Sequence, residues 1–322
     1  GKKYNTSCSS GFAALHLALS ALNIKKGDEV IVPSLSFIAT ANAVYHTGAK
    51  VVFADINKSD WTINIADCEK KINKKTKAII SVHLYGFPCD MEKLKKLCAK
   101  KKLFLIEDVA EAHGTKINNK LVGSFGDISC YSFYANKIIT TGEGGMCSSD
   151  NKKLIKKINI LKDHGISRDK TYFSVLPGFN YRMTNIQASI GLEQIGNFKN
   201  FLREKNKIYL RYLSNLKKEI QNRRIYIQQS KLKKVSLSVW LFSISIKKKV
   251  GSIKKLQKLL KNSKIETRPV FYPMEIFKYL NYKKKNKTSY EISKTSISLP
   301  SGYDLNKKDI DKICKIIKKF VN

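Results

Sequence analysis

One lysine of the chain, Lys137, lies between an apolar stretch and a glycine-rich turn. The segment over residues 131–145 reads YSFYANKIITTGEGG. Glycines let the backbone come close to a bound group, and a lysine in a tight site can lose its proton and form an imine with an aldehyde. The chain has 54 lysines, so this position alone would describe an ordinary surface lysine. Lys137 becomes a candidate only when other chemical groups accompany it.

Two acidic residues follow another apolar stretch. Asp108 closes the segment LFLIED over residues 103–108, and Glu111 comes three residues later. An aspartate at the end of a buried strand can hold a protonated pyridine nitrogen, which keeps the ring an electron sink. The alternative is that Asp108 and Glu111 cap a helix. Position alone does not separate these two readings.

A candidate anion site lies near the start of the chain. Ser9, Ser10 and Gly11 open a predicted helix over residues 11–23. The N-terminus of a helix attracts phosphate through its free N–H groups and its dipole, and Ser132 adds a hydroxyl in the strand before Lys137. Since most such helix starts bind only water, this signal is weak by itself.

The elements that would position these groups alternate between strand and helix. The sequence predicts strands over residues 29–32, 51–54, 78–82, 103–106 and 128–133, and helices over residues 11–23, 37–46 and 90–101. This order favours a mostly parallel sheet covered on both faces, with ligands at the carboxyl ends of the strands. Asp55, His83, Asp108 and Ser132 all follow or end predicted strands.

The second half of the chain is richer in helices. They are predicted over residues 151–164 and 185–196, then as a basic helix to about residue 220, and finally over residues 307–320. We therefore expect an α/β protein with a large domain over residues 1–200 and a small C-terminal α+β domain over residues 201–322. The first residue falls inside an apparent strand, so we expect that the N-terminus is truncated.

Several other classes of protein are disfavoured. The phosphate-loop, serine-hydrolase elbow, zinc-protease and dinucleotide-binding glycine motifs are all missing from the sequence. The five histidines lack metal-ligand spacing, although His83 and His113 fall at strand ends. Seven cysteines without a C-x-x-C pair predict a reducing, cytoplasmic location and no metal site. No apolar run is long enough to span a membrane.

The net charge of +36 comes almost entirely from lysine, with 54 lysines against 7 arginines. Proteins that read nucleic acid favour the planar fork of arginine. We therefore expect solvated helix faces and no nucleic-acid partner, although a basic nucleic-acid binder stays open as an alternative.

The combined motifs resemble the DegT/DnrJ/StrS family of sugar aminotransferases, which have the aspartate-aminotransferase-like type I fold with a seven-stranded sheet. The matching segments are Ser10–Leu17, Val32–Ser34, Val82–Gly86, Glu107–Asp108, Gly123–Asp127, Asn136–Lys137, Thr141–Gly145 and Gly178–Asn185. Within the family, residues 136–145 and 265–270 are most similar to the GDP-perosamine synthases.

The resemblance implies a cofactor, pyridoxal 5′-phosphate, and a role for each matched residue. Lys137 would form the imine and move protons, Asp108 would hold the pyridine nitrogen, Glu111 would lie near the ring hydroxyl and Phe37 would stack on the ring. Ser132 and the backbone of Gly11 and Phe12 would bind the phosphate. Asn180 would reach the phosphate of the other subunit in a homodimer with shared active sites, and Arg268 and Tyr272 would border the sugar. His83 is a further candidate for substrate binding because of its position at a strand end.

The resemblance also implies a reaction: transfer of an amino group from glutamate to a nucleotide-linked 4-keto-6-deoxy sugar for surface polysaccharide or glycan synthesis. Two positions depart from the family pattern. Phe12 replaces a threonine, which removes a phosphate hydroxyl, and Glu275 replaces a histidine, which leaves the identity of the sugar open. A 3-keto-sugar aminotransferase and a non-catalytic or regulatory paralogue are the alternatives. A dehydratase of this family is disfavoured because Lys137 is intact.

Overall fold

The computed structural model describes residues 1–167, 169–246 and 252–322. Its helices are α1 Gly11–Ala21, α2 Ala39–His46, α3 Ile65–Lys71, α4 Met91–Lys101, α5 Lys152–Leu161, α6 Asn185–Gly196, α7 Phe198–Asn215, α8 Lys217–Gln221, α9 Ser252–Asn262, α10 Lys287–Thr295 and α11 Lys307–Val321. Its strands are β1 Tyr4–Cys8, β2 Glu29–Pro33, β3 Lys50–Ala54, β4 Thr76–Val82, β5 Phe104–Asp108, β6 Lys116–Ile117, β7 Lys120–Leu121, β8 Ile128–Ser132, β9 Gly145–Ser149, β10 Ile225–Ile227, β11 Val235–Ser236, β12 Ser243–Ile246, β13 Arg268–Pro269 and β14 Ser296–Ser298.

A seven-stranded sheet in the order β1-β9-β8-β5-β4-β2-β3 forms the largest unit. The pairs β2–β3, β2–β4, β4–β5 and β5–β8 are parallel, and β9 runs antiparallel to both β8 and β1. Val82 of β4 and Cys130 of β8 both pair with Asp108 of β5. The register therefore brings the carboxyl ends of these three strands to one edge, and the predicted mostly parallel α/β sheet is confirmed.

Helices cover both faces of this sheet because its strands are apolar on both sides. All five residues of β2 are buried. Val30 and Val32 pack in one core cluster with residues of α1, α2 and α5, whereas Ile31 packs in another with residues of α3 and α4. The strand period of two sends successive side chains to opposite faces, which explains why the strand reads as a continuous apolar run.

A four-stranded antiparallel sheet in the order β10-β12-β14-β13 lies in the C-terminal part of the chain. Its core cluster draws residues from α7, α9, α11 and the strands β10, β12 and β14. This matches the predicted α+β character. The predicted boundary at residue 200 falls inside α7, which runs unbroken from Phe198 to Asn215, and the exact division of the chain stays a prediction.

Most predicted elements agree with the structure to within a few residues, because polar caps mark the helix starts. The side chains of Ser10, Asn151 and Asn306 cap α1, α5 and α11. The predicted basic helix is divided into α7 and α8 at Leu216. Within the described residues, no helix combines the length and the apolar character that crossing a bilayer requires.

Candidate active site

Lys137 lies in the loop that joins β8 to β9. Backbone hydrogen bonds from Thr141 N to Phe133 O and from Lys137 N to Tyr134 O, each 2.9 Å long, hold this loop in shape. The Lys137 side chain is 10% exposed, and its Nζ lies 3.6 Å from Oε1 of Glu111. Burial lowers the pKa of Lys137, although the carboxylates of Glu111 and Asp108 oppose this shift. The site therefore holds a lysine that gives up its proton more readily than an exposed one.

The Asp108 carboxylate ends β5 and is 6% exposed. It accepts hydrogen bonds from Thr40 Oγ1 and from the backbone N–H of Ala110, each 3.1 Å long. Burial raises the pKa of Asp108, while these two hydrogen bonds and the charge of Lys137 oppose the shift. A buried carboxylate with a raised pKa is short of positive charge, so this position favours a cationic ligand group.

Glu111 lies in the turn that follows β5. Its Oε2 accepts a hydrogen bond of 2.9 Å from the backbone N–H of Tyr85, and its Oε1 faces Lys137. Burial raises the pKa of Glu111, whereas the charge of Lys137 lowers it. The carboxylate is thus oriented by the backbone on one side and by the lysine on the other.

The N-terminus of α1 lies beside β8. Ser10 has an extended backbone, and its side chain accepts a hydrogen bond of 3.0 Å from Ala13 N. The cap leaves the N–H groups of Gly11 and Phe12, at the very start of the helix, unused. A Cβ at Gly11 would lie 2.6 Å from Cβ of Ser132. Only glycine permits this approach of the helix start to the strand end, and the approach places the Ser132 hydroxyl beside the free N–H groups.

These groups share one cavity of about 460 Å³. Eight of the predicted site residues line it: Gly11, Phe12, Phe37, Asp108, Glu111, Ser132, Lys137 and Arg268. A neighbouring cavity of about 690 Å³ continues beyond Lys137, Trp240 and Arg268, which line both spaces. Room therefore exists for a substrate considerably larger than an amino acid.

Three predicted residues, Asn180, Tyr272 and His83, do not line this cavity. Asn180 is exposed and its Oδ1 faces the guanidinium of Arg182. Tyr272 is 58% exposed and lies outside the wall of the cavity. Neither position tests a role that would need a second subunit or a bound substrate, so both roles stay predictions.

His83 requires a correction. The side chain is fully buried; its Nδ1 accepts a hydrogen bond of 3.1 Å from Cys89 N, which leaves the proton on Nε2 to face Oε2 of Glu107 at 3.2 Å. Glu107 in turn accepts hydrogen bonds from the backbone N–H groups of Gly123, Phe125 and Gly126. His83 therefore belongs to a structural network beneath the site and is not positioned to touch a substrate.

Glu275 also has a structural position. It is 5% exposed, its Oε2 accepts from Ser34 Oγ at 2.5 Å, and its Oε1 accepts from the backbone and side-chain nitrogens of Asn286. Phe12 packs against the rings of His16 and His46, with centroid distances of 5.9 and 5.7 Å. Both departures from the family pattern are thus integrated into the packing of this chain.

Sequence reasoning missed two polar or aromatic contributors to the site. Thr40 orients Asp108 from the first turn of α2. Trp240 lies with its ring under Lys137, at 3.5 Å from Nζ to the ring centroid. Trp240 falls in the apolar stretch over residues 235–246, to which the sequence assigned neither a helix nor a strand. The chain has only two tryptophans, and this rarity was the one feature of the sequence that could have drawn attention to Trp240.

Comparison with known proteins decides the family. The model of the DegT/DnrJ/EryC1/StrS aminotransferase family matches residues 1–318. The chain belongs to this family. It is 41% identical to the GDP-perosamine synthase of Escherichia coli O157:H7, over 99% of this chain and 86% of the relative. It is 40% identical to that of Vibrio cholerae, over 99% and 87%.

Solved structures of aminotransferases support the same assignment. A putative sugar aminotransferase from Streptococcus pneumoniae, solved in a PLP form, superposes with a TM-score of 0.93 at 27% identity, over 99% of this chain and 87% of that one. The aminotransferase from Psychrobacter cryohalolentis gives the same TM-score and identity. The predicted type I fold and the resemblance to this family are confirmed.

The residues of the cavity fit pyridoxal 5′-phosphate, the cofactor expected for a member of this family. The start of α1, with Gly11 against Ser132, offers N–H groups and a hydroxyl to a phosphate. Asp108 offers a buried anion to a pyridinium nitrogen, and Lys137 offers an amine to an aldehyde. These features lie in one cavity, and together they match the phosphate, the ring nitrogen and the aldehyde of one molecule.

Proposed function

We propose that this protein is a pyridoxal-phosphate-dependent aminotransferase that moves an amino group from glutamate to a nucleotide-linked 4-keto-6-deoxy sugar. The observation that carries this proposal is the position of Lys137, which is buried against Glu111 in the cavity that also holds Asp108 and the start of α1. The names of the relatives, GDP-perosamine synthase at 41% and 40% identity, support a nucleotide-sugar substrate.

Different residues of this chain would bind the cofactor and transfer the proton. When bound, the cofactor accepts the electrons of a broken C–H bond into its ring, which lets an amino group leave one substrate and join another. Asp108 keeps the ring nitrogen protonated, and Ser132 with the backbone of Gly11 and Phe12 anchors the phosphate. Lys137 holds and returns the proton at its Nζ, which its lowered pKa favours.

Substrate recognition is assigned to Arg268 and Tyr272. Arg268 lines both cavities, and its guanidinium can bind a carboxylate or a phosphate through two parallel hydrogen bonds. Such a group suits both the carboxylate of glutamate and the phosphates of a sugar nucleotide. Tyr272 follows in the same segment, next to Phe271 of the cavity wall, and its side chain is exposed.

A homodimer with shared active sites is part of the proposal. None of the twelve residues of α6 is buried in the single chain. The apolar side chains of Ile186, Leu192 and Ile195 are even 77%, 74% and 61% exposed. An apolar helix face left in water favours contact with another protein surface. Asn180 precedes this helix and is exposed, as a residue that completes the partner's phosphate site would be.

We also propose that the reaction serves the synthesis of a surface polysaccharide or glycan in the cytoplasm. All seven cysteines are free and buried, as a reducing compartment would leave them. The alternatives are a 3-keto-sugar aminotransferase and a non-catalytic or regulatory paralogue. The main argument for the paralogue is Phe12, which removes a hydroxyl that would bind the phosphate.

An assay of amino transfer tests the proposal. The protein saturated with pyridoxal phosphate is incubated with glutamate and a panel of GDP-, dTDP- and UDP-linked hexoses carrying a 4-keto-6-deoxy or a 3-keto group. Mass spectrometry then detects 2-oxoglutarate and the amino sugar. We expect amination of a GDP-linked 4-keto-6-deoxyhexose, and none with Lys137→Ala. Amination of 3-keto sugars alone supports the first alternative, and a loaded protein inactive on every sugar supports the second.

A further inference from the structure

Trp240 is held from three directions. Its indole Nε1 donates a hydrogen bond of 2.6 Å to the carbonyl of Asn136, next to Lys137. Its backbone N–H donates to Tyr85 O at 3.0 Å, and its carbonyl accepts a hydrogen bond of 2.9 Å from Nζ of the buried Lys205. Trp240 as a whole is 4% exposed. Its orientation is therefore fixed by contacts with elements that are distant in the sequence.

This fixed ring lies directly under the lysine. Nζ of Lys137 is 3.5 Å from the centroid of the Trp240 ring and 3.6 Å from Oε1 of Glu111. A cation over the face of an indole is attracted by the ring quadrupole, most strongly where water is excluded. The two contacts differ in kind, because Glu111 can accept a proton from the ammonium whereas the indole face cannot.

We propose that Trp240 is a positioning residue for Lys137: its indole face holds the protonated side chain while that chain is not bonded to the cofactor. This inference rests on the proposed function, in which Lys137 is released when the cofactor carries the amino group. The ring then keeps the ammonium within reach of the cofactor without taking its proton. No covalent step is assigned to Trp240.

A purely structural role would also explain burial of Trp240, since it packs in a core cluster with Trp61 and Tyr85. Its ring centroid lies 6.0 Å from that of Tyr85, and Trp61 lies 6.5 Å from the same ring. The two tryptophans thus share a neighbour and a degree of burial. They differ in that Trp240 faces Lys137, so Trp61 provides a matched control.

The test measures the pKa of Lys137 in the cofactor-free protein. The rate at which added pyridoxal phosphate forms an imine, followed by absorbance, depends on the unprotonated fraction of Lys137, and the Lys137→Ala protein supplies the baseline. Plotted against pH, this rate gives an apparent pKa. We expect Trp240→Phe to lower it, because phenylalanine binds cations more weakly than tryptophan, and Trp61→Phe to leave it unchanged.

Fluorinated tryptophan separates the ring face from the rest of the side chain. The chain has two tryptophans, so in a Trp61→Phe background only position 240 carries the label. Fluorine withdraws electron density from the ring face, while the indole N–H can still donate its hydrogen bond to the carbonyl of Asn136. We expect the apparent pKa to fall stepwise with the number of fluorines, by about one unit in total.

An apparent pKa that is unchanged or raised across the fluorinated series would overturn the inference and leave Trp240 a packing residue. This design also tolerates a Trp240→Phe protein that fails to fold, because the labelled protein keeps the native side chain. Failure of the proposed function looks different, since the wild-type protein would then form no imine beyond the Lys137→Ala baseline.

Discussion

The side-chain nitrogen of Lys137 and the carboxylate of Glu111 lie 3.6 Å apart, and both side chains are almost completely shielded from solvent. Burial disfavours both charges, so it lowers the pKa of the lysine and raises that of the glutamate, while each partner opposes the shift of the other. The pKa of Lys137 therefore depends on Glu111, and a substitution of Glu111 should shift this pKa in a predictable direction.

Replacing Glu111 with glutamine should lower the pKa of Lys137 further, because burial remains and the largest opposing charge is gone. A shift on the order of one unit is expected for the loss of a close opposite charge. More of the amine is then unprotonated near pH 8, so the cofactor-free variant should form its imine faster there. The pH profile of the rate of imine formation measures this. Glu143→Gln is the control, since Glu143 lines the same cavity but is exposed; equal profiles for wild type and Glu111→Gln would contradict the prediction.

Asp108→Asn should stabilise the cofactor-free protein while it damages the site. Burial raises the pKa of Asp108, so the folded state keeps this proton to a higher pH than the unfolded chain. The stability of the wild type therefore falls as pH rises from about 4 through the folded pKa. We expect the variant to melt a few degrees higher at pH 8 and at the same temperature near pH 4. Thermal unfolding of the cofactor-free proteins measures this difference.

Asp150→Asn provides the control of opposite sign. Lys2 and the backbone N–H of Lys3 lower the pKa of this surface carboxyl, so its removal should not raise the melting temperature at pH 8. If Asp108→Asn also fails to raise the melting temperature at pH 8, the cost of burying the Asp108 charge is offset by groups other than Thr40, Ala110 and Lys137. The same variant should bind pyridoxal phosphate without supporting amino transfer, because an amide cannot keep the pyridine nitrogen protonated.

The sequence predicted the strands whose ends hold Asp108 and Ser132, because buried parallel strands read as short apolar runs closed by polar residues. It did not predict the course of residues 235–246. That apolar run is divided into β11 and β12, which pair with β6 and with β10 and β14, and Trp240 lies between them. These pairings join distant parts of the chain, and no local pattern records them.

His83 shows a second limit of sequence reasoning. Its position after β4 was predicted correctly, but the direction of its side chain depends on Glu107 and Cys89. A strand end indicates which edge of the sheet a residue occupies, and not whether the side chain faces the ligand or the core. The motif around Lys137, rather than the strand end alone, made it a candidate, and the structure places it in one cavity with Asp108 and Glu111.

His113 should make the stability of the protein sensitive to acid. Its ring stacks between Tyr131 and Phe133, and neither ring nitrogen has a hydrogen-bond partner among the described residues. Burial, with a smaller contribution from Lys137, lowers its pKa to about 3. The unfolded chain binds this proton near pH 6.5, so stability is lost as pH falls from about 6.5 toward 3.

His113→Phe should remove this dependence. Relative to pH 7.5, the free energy of unfolding at pH 4.5 should fall by about 2.7 kcal/mol less in the variant than in the wild type. Urea unfolding of the cofactor-free proteins at both pH values measures it. His46→Gln is the control, because His46 is exposed in the last turn of α2. Parallel losses in wild type and His113→Phe would show that His113 is protonated in the folded state.

Asn180 and Lys137 should complement each other between subunits. If each active site takes Lys137 from one subunit and Asn180 from its partner, the single variants Lys137→Ala and Asn180→Ala are both impaired. Co-refolded in equal amounts, they should form hybrid dimers with one complete site each, which restores about a quarter of the wild-type activity for random pairing. Amino transfer by the mixture, compared with each variant alone, measures this.

The surface of α6 offers the control for this experiment. Charged substitutions Ile186→Lys and Leu192→Lys replace two of its most exposed apolar side chains, so the double variant should be monomeric in sedimentation analysis and should abolish complementation. Leu259→Lys replaces a comparably apolar residue of α9, 40% exposed, and should leave the dimer intact. If the mixture recovers no activity although hybrid dimers are present, Asn180 serves its own subunit, and the exposed position of Asn180 needs another explanation.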